Sequence, residues 1–233
     1  MGSALAQGLL EVDLDTLEYA RARYFAAAGI PAHGGYDDPW VSVSFGPLQL
    51  PLPNIPARRK VVAQHDLHHA LTGYDATLRG EAEMAAWEVA SGCGLRWQPW
   101  FINLHAIAVG LVIAPRRTSR AFARGFGAQN LFGKPVNAEL LARPLRAVRQ
   151  ELGIPPGNVP MDATRAFAFA ACSAASIAMA SMSVACSPLL AAGLALLGRH
   201  CEKETFRPAA PTTAGPEHEG GQRDSDPGPI GGR

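Results

Sequence analysis

Five positions concentrate side chains that bind metal ions: His65, Asp66, His68 and His69 are nearly consecutive, and Glu81 follows His69 after eleven residues. Two histidines four residues apart lie on the same face of a helix, so His65 and His69 can reach one cation without bending the backbone. Asp66 and His68 flank that face on opposite sides, and helical geometry does not choose between them as a further ligand. Glu81 supplies another carboxylate if the chain turns back. The spacing therefore predicts a metal site.

Other interpretations of the histidine cluster are weaker. A solvated helix could carry three histidines without a metal, but Val61 and Val62 turn the histidine face toward the core, where unpaired polar groups are costly. The zincin motif His-Glu-x-x-His uses its glutamate as general base, whereas this chain has the shorter Asp66. A metal-dependent hydrolase built on the His-Asp pair would need further ligands downstream, where His105 is the only histidine before His200.

The pattern His65-Asp66-x-x-His69, eleven residues and then Glu81 resembles the signature of the coenzyme Q (ubiquinone) biosynthesis protein 4 family. Other positions match this family as well: Leu71, Gly73, Gly80, Glu88, Gly94 and Leu95. Two ligand types, a fixed gap and glycines inside that gap make the resemblance specific. It covers the chain from about residue 9 to about residue 153.

The resemblance implies a ligand set of His65, Asp66, His69 and Glu81, and it leaves His68 beside the site or exposed. It implies a divalent metal. Zinc is the first expectation because it accepts imidazole and carboxylate ligands, although iron or manganese would also fit. Four protein ligands would fill a tetrahedron, as in structural zinc sites. A catalytic role therefore requires an open position or a ligand that moves away.

The resemblance further implies a largely helical protein of ubiquinone biosynthesis. The expected activity is oxidative decarboxylation of a prenylated aromatic quinone precursor at a membrane surface, among other quinone-biosynthesis proteins. Two departures leave the exact substrate open: Ala85 stands where the family often has a lysine, and Arg96 stands where it has a proline. The alternative is a non-catalytic organiser, whose metal joins two helices while the protein binds prenyl lipid and partner enzymes.

Composition is that of a moderately sized globular domain, with 233 residues, 48% hydrophobic residues, 18% charged residues and a net charge of +1. This near-neutral balance gives no overall electrostatic signature of nucleic-acid binding. The four cysteines include no Cys-x-x-Cys pair, which indicates reduced, buried thiols in a reducing compartment. The N-terminal residues lack the pattern of a signal or transit peptide, so we expect a cytoplasmic protein, peripheral to or anchored in the membrane.

Capping residues and hydrophobic periodicity predict an all-α fold. The proline-rich connection between the first two helices, where Val41 and Val43 alternate with serines, is expected to be at most a short strand or an extended segment. Asp15 and Glu18 are expected to cap the first helix at its start, and Gly29 is expected to end it. The later helices are predicted at Ala57–Leu71, Glu81–Gly92, Phe101–Ala114 and Ala138–Leu152, the third of them as a buried central helix.

Three further polar residues near the motif carry separate expectations. Glu88 is too far along its helix from Glu81 to bind the same ion, and it should be a surface carboxylate or support a ligand. Glu83 points away from Glu81 and should be solvated. His105 could approach the metal, but a hydrogen-bonded core histidine is the simpler interpretation.

A basic stripe follows Pro115. Arg117, Arg120 and Arg124 recur at helical spacing and could hold a carboxylate, a phosphate or an anionic lipid headgroup. A stripe of charges is also typical of a solvated helix face, and the sequence leaves both interpretations open.

The segment Ala166–Gly198 has no charged side chain and is interrupted by Pro188. Its length exceeds that of a transmembrane helix, but its alanine and serine content makes membrane insertion marginal. It is either a membrane helix or a small-residue helix, or pair of helices broken near Pro188, packed on the domain. The predicted organisation is a metal domain at 1–155, an apolar helical extension at 156–203 and a disordered tail at 204–233.

Overall fold

Helices dominate the computed structural model, which describes residues 16–45, 48–95 and 97–205. The helices are α1 (Leu17–Ala28), α2 (Pro56–Thr72), α3 (Leu78–Ser91), α4 (Trp97–Ile113), α5 (Pro115–Gly125), α6 (Ala138–Leu141), α7 (Leu145–Glu151) and α8 (Ala163–Thr205), and the strands are β1 (Trp40–Phe45) and β2 (Leu48–Pro53). The predicted all-α class is confirmed, with one small addition in the connection between α1 and α2.

That addition is a two-stranded antiparallel hairpin, in which Trp40 pairs with Pro53 and Phe45 pairs with Leu48. Pro51 and Pro53 lie in β2. Proline has no N–H group to donate, so it is unsuited to a central strand, which is hydrogen-bonded on both sides. A two-stranded sheet consists of two edge strands, so it tolerates these prolines.

The helix caps explain where the first two helices begin and end. Thr16, rather than Asp15, is the N-cap of α1, and its hydroxyl accepts a hydrogen bond from the backbone N–H of Tyr19. Asp15 itself lies outside the described residues. Gly29 ends α1 in the left-handed region with φ 69°, as predicted. Pro56 opens α2 at its first turn, close to the predicted start.

Helix α3 begins at Leu78, three residues before the predicted start at Glu81. Thr77 caps it by accepting a hydrogen bond from the N–H of Gly80. Glu81 therefore sits in the first turn, where the positive end of the helix dipole favours a carboxylate.

Two other predicted helices need correction. Only one face of α4 is buried, whereas Trp97, Phe101, Ile102 and Val112 are exposed, so α4 is not the fully buried helix that its apolar sequence indicated. The predicted helix at 138–152 is two short helices, α6 and α7. Pro144 separates them because proline has no N–H to donate and disfavours helical geometry in the residue before it.

Buried side chains form two clusters on either side of α3. One joins α2 and α3 to α7 and to the loops that follow α5 and α7, through residues such as Leu67, Leu71 and Trp87. The other joins α3 to α4 and α5, with Ile107 and Phe122 at its centre. Helix α3 therefore lies between both clusters, and its buried residues from Ala82 to Glu88 are positioned by packing from two directions.

The chain divides into two units, Met1–Cys186 and Ser187–Arg233, and the elements up to α7 all lie in the first. Part of α8, Ala163–Pro188, is long and apolar enough to cross a membrane, and little of it is buried. Cys93 is a buried free thiol as expected, whereas the free thiols Cys172 and Cys186 are only partly buried. Nothing of the predicted tail beyond residue 205 falls within the described part of the chain.

A close backbone approach fixes the turn between α2 and α3. A Cβ atom added at Gly80 would lie 2.1 Å from the carbonyl oxygen of Asp75, which is far inside van der Waals contact. Gly73 ends α2 with φ 79°, a conformation that favours glycine. The two glycines of the motif spacer thus allow the chain to reverse so that Glu81 faces α2.

Replacement of Gly80 by alanine should lower the free energy of unfolding by about 1–3 kcal/mol, because the added methyl group overpacks this turn. Urea unfolding of the metal-free protein measures the change. Arg79→Ala is the matched control, since Arg79 is exposed on the same turn and its loss should cost no more than about 0.5 kcal/mol. Equal stability of the two variants would contradict the close approach.

Candidate metal centre

Three ligand atoms converge between α2 and α3. The Nε2 atoms of His65 and His69 are 3.1 Å apart. The carboxylate of Glu81 lies 3.3 Å from Nε2 of His65 and 3.5 Å from Nε2 of His69. All three ligand atoms fall within 4.8 Å of one another, so they could hold one metal ion. Of the four predicted ligands, the structure brings together His65, His69 and Glu81.

The orientation of His69 is fixed by its other ring nitrogen. Nδ1 lies 2.9 Å from the carbonyl oxygen of Tyr74, and because a carbonyl only accepts, Nδ1 must carry the proton. The ring of Tyr24 stacks on the imidazole with centroids 4.6 Å apart and an interplanar angle of 8°. In neutral His69, Nε2 therefore presents a lone pair toward Glu81.

The orientation of His65 is fixed in the same way by Glu88. Nδ1 of His65 lies 2.9 Å from Oε1 of Glu88, a carboxylate that is 1% exposed. This is the histidine–carboxylate arrangement that typically orients metal-binding imidazoles. Glu88 is therefore buried against His65, one of the predicted ligands, and the expectation that it could be a surface carboxylate was wrong.

Glu88 makes two further hydrogen bonds. Nδ1 of His68 donates to the same carboxylate oxygen at 2.7 Å, and Nδ2 of Asn103 donates to the other oxygen at 2.7 Å. Burial opposes the charge, but His65 and His68 outweigh it, and the pKa of Glu88 is held well below its usual range. The carboxylate is therefore ionised and joins α2, α3 and α4.

Convergence of three electron-rich groups creates the central electrostatic problem of the site. With both imidazoles neutral, two Nε2 lone pairs and one carboxylate face each other, and a cation or a proton must lie among them. Burial disfavours charge on His65, but Glu88 and Glu81 outweigh it and hold its pKa well above the ordinary value. A metal ion would replace that proton and satisfy all three groups.

His68 is fully buried, which corrects the expectation that it could be merely exposed. Its Nε2 accepts a hydrogen bond from the backbone N–H of Leu131 at 2.9 Å, and its Nδ1 donates to Glu88. Burial, the largest effect, lowers the pKa of His68, so the ring stays neutral. Both ring nitrogens are engaged inside the protein, and His68 shares the Glu88 carboxylate oxygen with His65.

Asp66 lies beside the three converging residues but is not part of that group. Its carboxylate accepts a 2.6 Å hydrogen bond from the hydroxyl of Tyr36. Burial raises the pKa of Asp66, and the positive potential of His65 opposes this effect. In the described geometry, Asp66 adds negative charge near the site and connects it to the loop that carries Tyr36.

Access from solvent is through Glu81, whose side chain is 38% exposed, whereas that of His69 is fully buried. Three protein ligands leave the fourth position of a tetrahedron open, and this is the composition of catalytic zinc sites with two histidines and one glutamate. The three-residue group thus leaves open the fourth position that a catalytic metal requires and that a fourth protein ligand would fill.

Several residues that were expected to be solvated or to bind an anion instead make contacts between helices. Glu83 is buried and pairs with Arg117, so the prediction that it is solvated was wrong. Arg124 donates to the carbonyl oxygens of Thr72 and Pro155. Two members of the basic stripe therefore hold helices together, whereas Arg120 lines an open pocket away from the metal ligands.

His105 is not among the converging metal-ligand residues. Its ring bridges the carbonyl oxygen of Phe101 and the hydroxyl of Ser183, at 2.7 and 2.8 Å. The hydrogen-bonded interpretation of His105 is confirmed, although the side chain is only partly buried.

Sequence reasoning did not identify Tyr24, Tyr36 or Asn103 as neighbours of the site. They come from α1, the loop after it and α4, and no spacing relates them to the histidine motif. Only tertiary packing brings them to it.

No protein-family model matches the chain, and neither a curated protein nor a solved structure shows significant similarity to it.

Replacement of Glu88 by glutamine should weaken metal binding by about 10–100-fold, because the neutral amide no longer fixes and polarises His65. The matched control is Glu83→Gln, a buried glutamate of the same helix that pairs with Arg117. Isothermal titration with Zn²⁺ measures both affinities, and thermal unfolding of the metal-free proteins separates lost affinity from lost fold. Equal affinities in folded variants would show that Glu88 does not support the ligand.

Metal affinity should also depend on pH. Since His65 holds a proton in the metal-free site with a raised pKa, binding must release it. Apparent affinity should therefore rise with pH by about tenfold per unit until that raised pKa is passed, and level off above it. Calorimetry in buffers of different ionisation enthalpy counts the released protons. An affinity that is constant across the neutral range would contradict the protonated His65.

Proposed function

We propose that this chain is a metal-dependent enzyme of ubiquinone biosynthesis that acts on a prenylated aromatic acid. The observation that carries the proposal is the convergence of His65, His69 and Glu81. Each imidazole is oriented by a hydrogen bond at its Nδ1 atom, to Glu88 for His65 and to the carbonyl oxygen of Tyr74 for His69. Such fixed ligands with an open side are typical of a site that binds substrate. The resemblance of the motif to the coenzyme Q biosynthesis protein 4 family supplies the substrate class.

Zinc is the proposed metal. Two imidazoles and one carboxylate with a fourth position open are a common catalytic zinc set, while iron and manganese are the alternatives that the same donors accept. When bound, the metal would act as a Lewis acid on the carboxylate or phenolate of the substrate. Asp66 is proposed as a fourth ligand only if it leaves the hydroxyl of Tyr36.

The residues around the site suit an aromatic acid. Tyr24 forms an aromatic wall over His69, and burial raises its pKa far above neutrality, with Glu81 and Asp66 adding to the effect. Tyr36 is likewise held neutral, first by burial and then by Asp66. Neutral phenols do not repel an anionic ring substrate. The exposed carboxylate of Glu81 marks the side from which the substrate would enter.

The proposed reaction replaces the ring carboxylate by a hydroxyl group. The ring–carboxylate bond breaks, carbon dioxide leaves, and a new carbon–oxygen bond forms at the same ring position. This is a two-electron oxidation of the substrate. Water supplies the new oxygen atom, and dioxygen, which we propose as the external oxidant, accepts the two electrons and two protons and becomes hydrogen peroxide. Within the chain, His65, His69 and Glu81 would hold the metal ion, which when bound would attract the acidic group, and Glu88 keeps His65 in place.

A second candidate function is the non-catalytic organiser. It is favoured by the apolar face of α4 that is exposed to solvent, which includes Trp97, Phe101, Ile102 and Val112. In that case, a metal joining α2 to α3 stabilises the fold, and the exposed face binds prenyl lipid or other quinone-biosynthesis proteins.

The test compares the purified protein with His69→Ala and Glu81→Ala. Both variants should lose stoichiometric metal, because each removes one of three ligands. Both should also lose conversion of a prenylated hydroxybenzoate, which mass spectrometry follows with a ¹³C-labelled carboxylate. His105→Ala is the control, since this histidine lies outside the site and should retain metal and conversion.

Each outcome of this experiment separates the candidates. Full metal content in both folded variants would overturn the ligand assignment. Stoichiometric metal in the parent protein without any conversion under dioxygen would favour the organiser. Conversion that persists without metal would contradict the metal-dependent mechanism.

A further inference from the structure

A second concave site lies apart from the metal ligands, between α5, the loop before α8 and the first turns of α8. It is an open pocket of about 570 Å³, a size within the range of small-molecule sites. Its apolar lining includes Ala123, Val159, Met161, Ala166 and Phe169. None of the three metal-ligand residues lines it.

Two arginines supply the positive charge of this pocket. Arg116 and Arg120 both line it and are exposed, and they lie one turn apart on α5. Like charges four residues apart repel each other. Neither arginine has an acidic partner among the described residues, in contrast to Arg117, which pairs with Glu83. The pocket therefore presents two guanidinium groups that an anion could bridge.

The position of the pocket along α8 indicates what kind of anion fits. Ala166 and Phe169 belong to the first turns of Ala163–Pro188, the segment long and apolar enough to cross a membrane. Basic residues at the end of such a segment lie at the level of lipid headgroups. The apolar lining and the two arginines thus meet where a bilayer would present both acyl chains and phosphates.

We propose that this pocket binds the headgroup of an anionic phospholipid. The phosphate bridges Arg116 and Arg120, and the amide of Asn158, which also lines the pocket, is available as a neutral donor. The part of the acyl chains nearest the headgroup contacts Met161 and Phe169. A small soluble anion would satisfy the arginines but leave this apolar lining exposed to water. The proposal is independent of the metal centre and of its chemistry.

The experiment measures how the full-length protein partitions between vesicles of phosphatidylcholine and vesicles that contain phosphatidylglycerol. The parent protein should prefer the anionic vesicles. Each arginine replaced by alanine should lower this preference about fivefold, and Arg116→Ala with Arg120→Ala about 25-fold. A charge-matched control, Lys60→Ala with Arg79→Ala, removes two exposed basic residues elsewhere and should retain most of the preference.

A second pair of variants locates the effect within the pocket while both arginines remain. Met161→Glu places a negative charge in the lining and should reduce the preference, whereas the similarly sized Met161→Gln should have much less effect. Inorganic phosphate, added at the concentration of lipid phosphate, should not displace the protein from anionic vesicles.

Three results would overturn the proposal. The arginine double variant could keep the full preference, or the control pair could lose as much, which would indicate a diffuse charge effect. Displacement by inorganic phosphate would indicate a site for a soluble anion. Circular dichroism of every variant shows whether the helices remain folded.

Discussion

Burial of an ionised carboxylate is the constraint on which this structure depends. Glu88 is 1% exposed, and an isolated charge in such surroundings would be prohibitively costly. It is tolerated because His65, His68 and Asn103 donate to its two oxygens. These donors come from α2 and α4, while Glu88 lies on α3, so one carboxylate ties three helices together. Removing a partner of such a buried group typically costs about 3–5 kcal/mol, because the remaining charge is left uncompensated.

This arrangement couples the metal centre to the hydrophobic core. The ring of His65 cannot rotate without breaking its bond to Glu88, and Glu88 cannot move without disturbing His68, which is bonded to the backbone of Leu131. His69 is held separately by the carbonyl oxygen of Tyr74. The two imidazoles are therefore oriented by packed parts of the protein, whereas Glu81 is half exposed and free of that packing. The site consists of two rigid nitrogen donors and one more adjustable oxygen donor.

Local sequence patterns predicted the parts of this site that depend on one helix or one turn. His65 and His69 share a face because they are four residues apart, and Gly73 and Gly80 allow the reversal that brings Glu81 to them. The same reasoning could not place Glu88, Glu83 or His68, because their environment depends on how α3 packs between α2, α4 and α5. It also failed for the helix at 138–152, since the apolar periodicity of that segment concealed the effect of Pro144.

Whether a metal ion held at this site would be catalytic or structural depends on Asp66. If its carboxylate joined His65, His69 and Glu81, the tetrahedron would be filled and the metal would mainly hold α2 against α3. Its hydrogen bond from Tyr36 works against this, because a buried phenol left without its acceptor loses a favourable interaction. In the described geometry, Asp66 lies outside the group of three residues, so a metal ion held by them would keep a fourth position open for substrate.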